Sequence, residues 1–287
     1  MTEPLTLVVI AAAVGGTAGK LAEKAWDSGE KWLSTYFQDH HPKAIKKAEQ
    51  NALAFLDDLA KRVNRLELAT ADSQQITQQI ESALEDPAFS ATLKDSLLVS
   101  ACTQNRTTHR ILAHLISERL CCTSDNILAL TIPLACRTVV SLTNKQLCFL
   151  ATGVVLEHLL PAAVSNVEPE VKDQFAIDWL KEKLPFVLPQ ECITGIDLIH
   201  MEGLSCFNLT RTMLGGDRLH FFLRRKLETS GAQFDNFVMN TTIGKQFESC
   251  WNRKLSHVLL TSIGLLIGIC AFEELTGSQV DVQIYFK

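Results

Sequence analysis

The most constraining stretch of this chain is its beginning. Leu5 to Gly19 carries no charge, and Gly15, Gly16 and Gly19 fall within five residues. Glycine in a helix interior costs about 1 kcal/mol against alanine, so such a run stays helical only where close packing or a hinge offsets the loss. Ala11, Gly15 and Gly19 recur every four residues and share one helix face. The Gly15-x-x-x-Gly19 spacing lets two helices approach closely, in membranes above all. The run is shorter than the ~20 apolar residues of a spanning helix. A signal peptide wants a basic start, whereas the only early charge here is Glu3.

Beyond Ala18 the pattern becomes amphipathic. Ala18, Leu21, Ala22, Ala25, Trp26, Leu33, Tyr36 and Phe37 follow helical spacing, with Lys20, Glu23, Lys24, Asp27, Glu30 and Lys31 opposite. Pro42 should end this helix near His40. Ala52, Leu56, Leu59, Val63 and Leu66 then alternate steps of four and three, predicting a second helix over 42–68 and a hairpin between the two. The Gln-rich stretch Ser73–Ile80 reads as a linker or a short polar helix. Helices are expected near 87–103, 107–121, 125–140, 144–160 (stopped by Pro161), 169–184, 218–229 and 244–257. Asp86, Ser124, Thr143 and Thr261 are N-cap candidates, and Gly277 is a stop signal. The alternation Val282, Ile284, Phe286 predicts a strand over Asp281–Phe286. The expected fold is mainly α: an N-terminal long helical hairpin (1–70), a helical body (71–185), and a small C-terminal winged-helix-like α+β region (186–287).

Composition excludes several function classes. Of 287 residues, 47% are hydrophobic, enough for a packed core. The net charge of −5 argues against a general nucleic-acid binder. Arg224, Arg225 and Lys226 read as a solvated helix face. The nine cysteines, odd in number and mostly within apolar stretches, include no C-x-x-C and read as reduced thiols of a cytosolic protein. Cys121-Cys122 has no zinc-ligand neighbours at suitable spacing. The chain has no G-x-x-x-x-G-K-[ST], no G-x-S-x-G and no H-E-x-x-H. His109 and His114, five apart, do not share a helix face, and His40-His41 fits a helix-end cap. No catalytic residue, metal ligand or cofactor is expected.

Two resemblances add to this reading. Gly19 through Leu33, His40 through Ala44 and Asn51 through Leu56 resemble an uncharacterised bacterial helical family with a Gly/Ala-rich N-terminus. Asp86 through Leu120, and Leu260-Thr-Ser-Ile-Gly264, are similar to the abortive-infection alpha family of phage-defence proteins. These share an apolar N-terminal stretch, a helical middle and a closing Leu-Thr-x-x-Gly helix. The resemblance implies a defence context and transfers no catalytic residue.

The expectation is a non-enzymatic bacterial anti-phage effector. A phage trigger or protein partner would release its N-terminal helix, which would oligomerise and form a pore in a membrane. Val8, Val9, Ile10, Ala11, Gly15 and Gly19 would make the insertion and helix contacts, with Trp26 and Trp32 at the interface. The mixed charge of the polar face weakens binding driven by anionic lipid. The rival is a cytosolic helical sensor or adaptor whose N-terminal helix is core or a homo-oligomer seam, and burial of residues 5–14 discriminates. Gly264-x-x-x-Gly268 reads as ordinary core packing. A transcriptional regulator is the weakest reading, because helix 261–275 is too apolar for a DNA groove. Free-thiol titration of the denatured, unreduced protein should find nearly all nine cysteines, and stoichiometric zinc would overturn the thiol reading.

Overall fold

The computed structural model describes residues 16–69, 78, 80, 82–83, 85–123, 125–209, 218–228, 232–252 and 254–286. They are mainly helical and fall into two compact units, Met1–Ser141 with Val282–Lys287, and Leu142–Asp281. These units cross the segment boundaries read from the sequence at 70/71 and 185/186.

The first unit begins with α1 (Gly16–Tyr36) and α2 (Pro42–Ala69), which pack as a hairpin. Ala18, Leu21, Ala22, Ala25 and Leu33 of α1 are buried, as are Ala52, Phe55, Leu56, Leu59 and Val63 of α2. Burying one Leu-sized side chain contributes ~1.5–3 kcal/mol. At Gly29 an added Cβ would collide with the Leu97 side chain, so α1 lies close against α3 (Pro87–Cys102). Helix α1 ends four residues before His40, where Tyr36, Phe37 and His40 form an aromatic cluster. His41 caps the next helix instead: its Nδ1 lies 3.2 Å from the Lys43 amide that donates to it.

Asp86 does two jobs. Its Oδ1 accepts from the Ala88 amide at 2.9 Å and caps α3, while its Oδ2 takes Arg119 Nη2 at 2.6 Å. Arg119 belongs to α4 (Arg106–Leu120), whose residues 111–117 are all buried, as befits the centre of a bundle. His109 is buried too, with Nε2 3.1 and 2.9 Å from the Ser100 and Thr103 carbonyls. Next comes α5 (Ile127–Val139), capped by Asn126. The strand expected over Asp281–Phe286 is instead a 3-10 turn, Val282–Phe286, packed on α5. Val282 and Phe286 are buried and Ile284 points out. Three alternating residues specify a strand only where a partner strand supplies the ladder, and the two strands among the described residues lie elsewhere. The winged-helix-like reading loses its terminal strand.

The second unit is built around α6 (Asn144–Val154) and α13 (Ser262–Thr276). A π turn, Val155–Leu159, and α7 (Leu160–Val164) continue α6. Helix α8 (Pro169–Val187) packs on α6 and α13, with Trp179 stacked on Phe272 at 6.2 Å. Then come α9 (Gly195–Gly203), β1 (Phe207–Leu209), α10 (Leu219–Leu227), α11 (Ala232–Asn240), α12 (Thr242–Asn252) and β2 (Val258–Leu260). The two strands pair antiparallel, Phe207 opposite Leu260. Thr261 caps α13 by accepting from the Gly264 amide, and its hydroxyl lies 2.5 and 3.1 Å from the Ser205 and Cys206 carbonyls. Gly277, at φ +69°, ends the helix in the left-handed conformation.

Gly264-x-x-x-Gly268 is a core contact. A Cβ at Gly264 would strike the Cys206 carbonyl. One at Gly268 would lie 2.5 Å from Val154 Cγ2 and 2.8 Å from the Leu150 carbonyl oxygen. Gly268→Val should therefore overpack the α6–α13 contact, at a typical cost of ~1–3 kcal/mol. Gly195→Ala, where a Cβ meets nothing within 4 Å, serves as the control. Thermal denaturation should show a clear drop in Tm for the first and none for the second.

Candidate functional site

Val8, Val9, Ile10, Ala11 and Gly15 lie outside the described residues. Gly19 is buried within α1, and Trp26 and Trp32 on the same helix are half-buried. Lys94 Nζ of α3 stands 5.6 Å from the centroid of the Trp32 ring, a cation–π distance. The small-residue side of α1 (Ala18, Gly19, Ala22, Ala25, Gly29) is therefore turned into the first unit. Its neighbours are α2 and α3.

In the second unit, the segment Asn144–Val164 is long and apolar enough to cross a membrane, among the described residues. Core helices of soluble proteins pass the same test, and 67% of the segment's apolar window is buried inside the protein. The helix does not stop at Pro161, as its sequence predicts, but runs on to Val164. The Leu160 amide reaches back to the Val155 carbonyl, so the bonding register has already widened by one residue before the proline, which has no N–H to give. This π turn carries Glu157 and His158. Burial pushes the Glu157 carboxyl up to about 7, against a smaller pull from Lys226. Burial, and secondarily Lys226, lowers His158. A carboxyl poised near neutrality is the type of group that moves protons.

A second polar cluster joins two helix starts. Thr143 and Gln146 form a capping box on α6, and Thr194 and Asp197 form one on α9. Lys145 Nζ lies 2.9 Å from Asp197 Oδ2, and Gln146 Nε2 donates to Asp197 Oδ1 at 3.3 Å. Burial works against the Asp197 carboxylate, but hydrogen bonds from Lys145 and Thr194 hold it down at about 2. With its oxygens occupied by caps and cation, this cluster fastens α6 to α9.

A cavity of about 400 Å³ opens between the loop after α8 and the outer side of α12. Leu188 and Ile193 line it from the loop, and Gln246 and Cys250 from α12. Cys192 and Lys254 meet at its edge, with Lys254 Nζ donating to Cys192 Sγ at 3.0 Å. All nine cysteines are free thiols. Cys121 and Cys122 are held at about 12 and about 11, by burial first and then by the Glu118 carboxylate. Among the described residues no three His, Cys, Asp or Glu side chains converge as a metal site. The cavity escaped the sequence reading because Cys192 and Lys254 are 62 positions apart, and no local motif joins them.

A family model described only as “:-like” matches residues 19–220. The chain belongs to that family. The match spans the hairpin, all of α3 to α9, and β1, and includes the three N-terminal segments that resemble an uncharacterised helical family. It carries no link to the abortive-infection alpha proteins. No curated protein and no solved structure matches the chain.

The raised Glu157 has a consequence for stability. Its ordinary value is 4.5 and its folded value about 7, so the folded state holds the proton more tightly than the unfolded state. The stabilisation is complete below pH 4.5 and disappears as pH rises through 7, a change of up to roughly 3 kcal/mol. Glu157→Gln keeps the neutral form at every pH. Its Tm should match wild type near pH 4.5 and exceed it near pH 8, and equal Tm values at both pH values would refute the buried-acid account.

Proposed function

We propose that the protein is a helical sensor or adaptor that works by protein contact, without catalysis or cofactor of its own, in the cytosol of a bacterial defence system. The observation that carries this reading is the packing of α1. Of the face that would serve an inserted or oligomerising helix, Gly19 lies within the described residues and is buried; further along the same helix Gly29 lies against Leu97, and Lys94 stands over Trp32. Nine reduced thiols fit a reducing compartment. An exposed apolar stripe on α5 (Ile127, Leu130, Leu134) fits a protein that works through contacts. The defence setting rests on the likeness of the sequence to abortive-infection proteins.

The uncharged run Leu5–Gly19 favours a second reading, a membrane-inserting effector released by a phage trigger or partner and assembled as a homo-oligomer. Dye-loaded liposomes separate the two. The adaptor reading expects no leakage from the full chain. It also expects Gly19→Leu to lower Tm, because a buried position is overpacked. Leakage by wild type that is abolished by Ile10→Asp would replace the adaptor with the effector.

A further inference from the structure

Cys192, Lys254 and Cys250 line one cavity, and nothing in the adaptor reading uses them. Cys250 sits on α12, Lys254 follows four positions later, and the ammonium reaches Cys192 on the facing loop. Lys254 touches this sulfur, the Ile193 carbonyl lies 3.6 Å from it, and Lys145, itself paired with Asp197, is within electrostatic range of both Cys192 and Glu191. The ammonium donating to sulfur places a proton donor directly at the nucleophilic atom. Cys250 is a different kind of thiol. Burial pushes it up to about 12, with Lys254 and Cys192 both close enough to act on it. It stays protonated and does not compete for an incoming reagent.

We propose that Cys192, Lys254 and Cys250 form a hydroperoxide-reactive thiol site, with Cys192 as nucleophile and Cys250 as the resolving thiol. Two features select an oxidant over an alkylating electrophile. The second thiol has a role only after the first has been oxidised, and Lys254 is placed to protonate a departing oxygen. In the first step the Cys192 sulfur attacks the terminal oxygen of the peroxide. The S–O bond forms, the O–O bond breaks, and the sulfur loses two electrons to become a sulfenic acid. The departing alkoxide, or hydroxide from hydrogen peroxide, takes a proton from Lys254, which regains one from the Cys192 thiol. In the second step Cys250 attacks the sulfenic sulfur as its proton passes to the hydroxyl there, and the S–O bond breaks. The S–S bond forms, and the hydroxyl leaves as water with the Cys250 proton. The apolar wall at Leu188 and Ile193 suits the organic part of a small hydroperoxide.

Cys102 is the internal control, because it and Cys192 are the two exposed thiols. The reduced full-length protein is treated with hydrogen peroxide, with dimedone present in parallel samples, and mapped by non-reducing mass spectrometry. Cys192 should react about tenfold faster than Cys102, and unfolding in guanidinium should erase the difference. The wild type should yield a Cys192–Cys250 linked peptide, and Cys250→Ser should accumulate the dimedone adduct at Cys192. Lys254→Gln should slow oxidation of Cys192 about tenfold while leaving Cys102 unchanged. Equal rates at Cys192 and Cys102 would overturn the proposal, as would an unaltered rate in Lys254→Gln or the absence of the linked peptide. The wild-type rate comparison and linkage stand even if the Cys250 variant fails to fold.

Discussion

The second unit depends on how closely α13 can approach α6. Its core positions are filled by Leu, Ile, Val and Phe, but those side chains interlock only because Gly264 and Gly268 bring one backbone against another. At Gly264 the neighbour is the carbonyl of Cys206, the residue that leads into β1. The same carbonyl accepts from the Thr261 amide and lies within reach of its hydroxyl. Helix start, sheet and helix contact thus meet within a few residues. The first unit repeats the device more gently, with Gly29 giving way to a flexible Leu97 side chain rather than to backbone.

The parts of this fold legible in the sequence are those governed by nearest neighbours along the chain. Asp86 before Pro87, Thr143 before Gln146, and Thr261 with Gly277 mark helix boundaries through hydrogen bonds spanning two to four residues, and all stand where their chemistry places them. The amphipathic pattern of residues 18–37 likewise selects the buried side of α1. Illegible were the features decided by distant partners. Pro161 is a stop signal only if the helix before it keeps its ordinary register, and the π turn removes that condition. The alternation at Val282, Ile284 and Phe286 serves a turn because α5 offers an apolar surface and not a strand edge. Most of the site read from the sequence lies before residue 16. Gly19, Trp26 and Trp32 fall within α1, where packing inside the unit meets the same need for small and aromatic residues that a membrane would.

The polar groups of the second unit divide by how completely they are satisfied. Asp197 is surrounded by donors and stays charged, so it acts as a fastener. Glu157 is half-buried, with His158 3.8 Å away and Lys226 within electrostatic range, and sits near neutrality. Cys192 is exposed and touched by an ammonium. By completeness of compensation, the π turn and the α12 cavity stand apart from the capping network.

The route of the chain has its own outcome. The first unit is interrupted: it runs to Ser141, yields to the whole second unit, and resumes at Val282. The apolar residues that close it against α5, Val282 and Phe286, are synthesised after everything else described. During translation at ~5–20 residues per second, the earlier helices wait several seconds for their final partners, with part of α5 bare in the meantime. A premature stop anywhere in the second unit therefore damages the first as well, and the two units stand or fall as one product of synthesis.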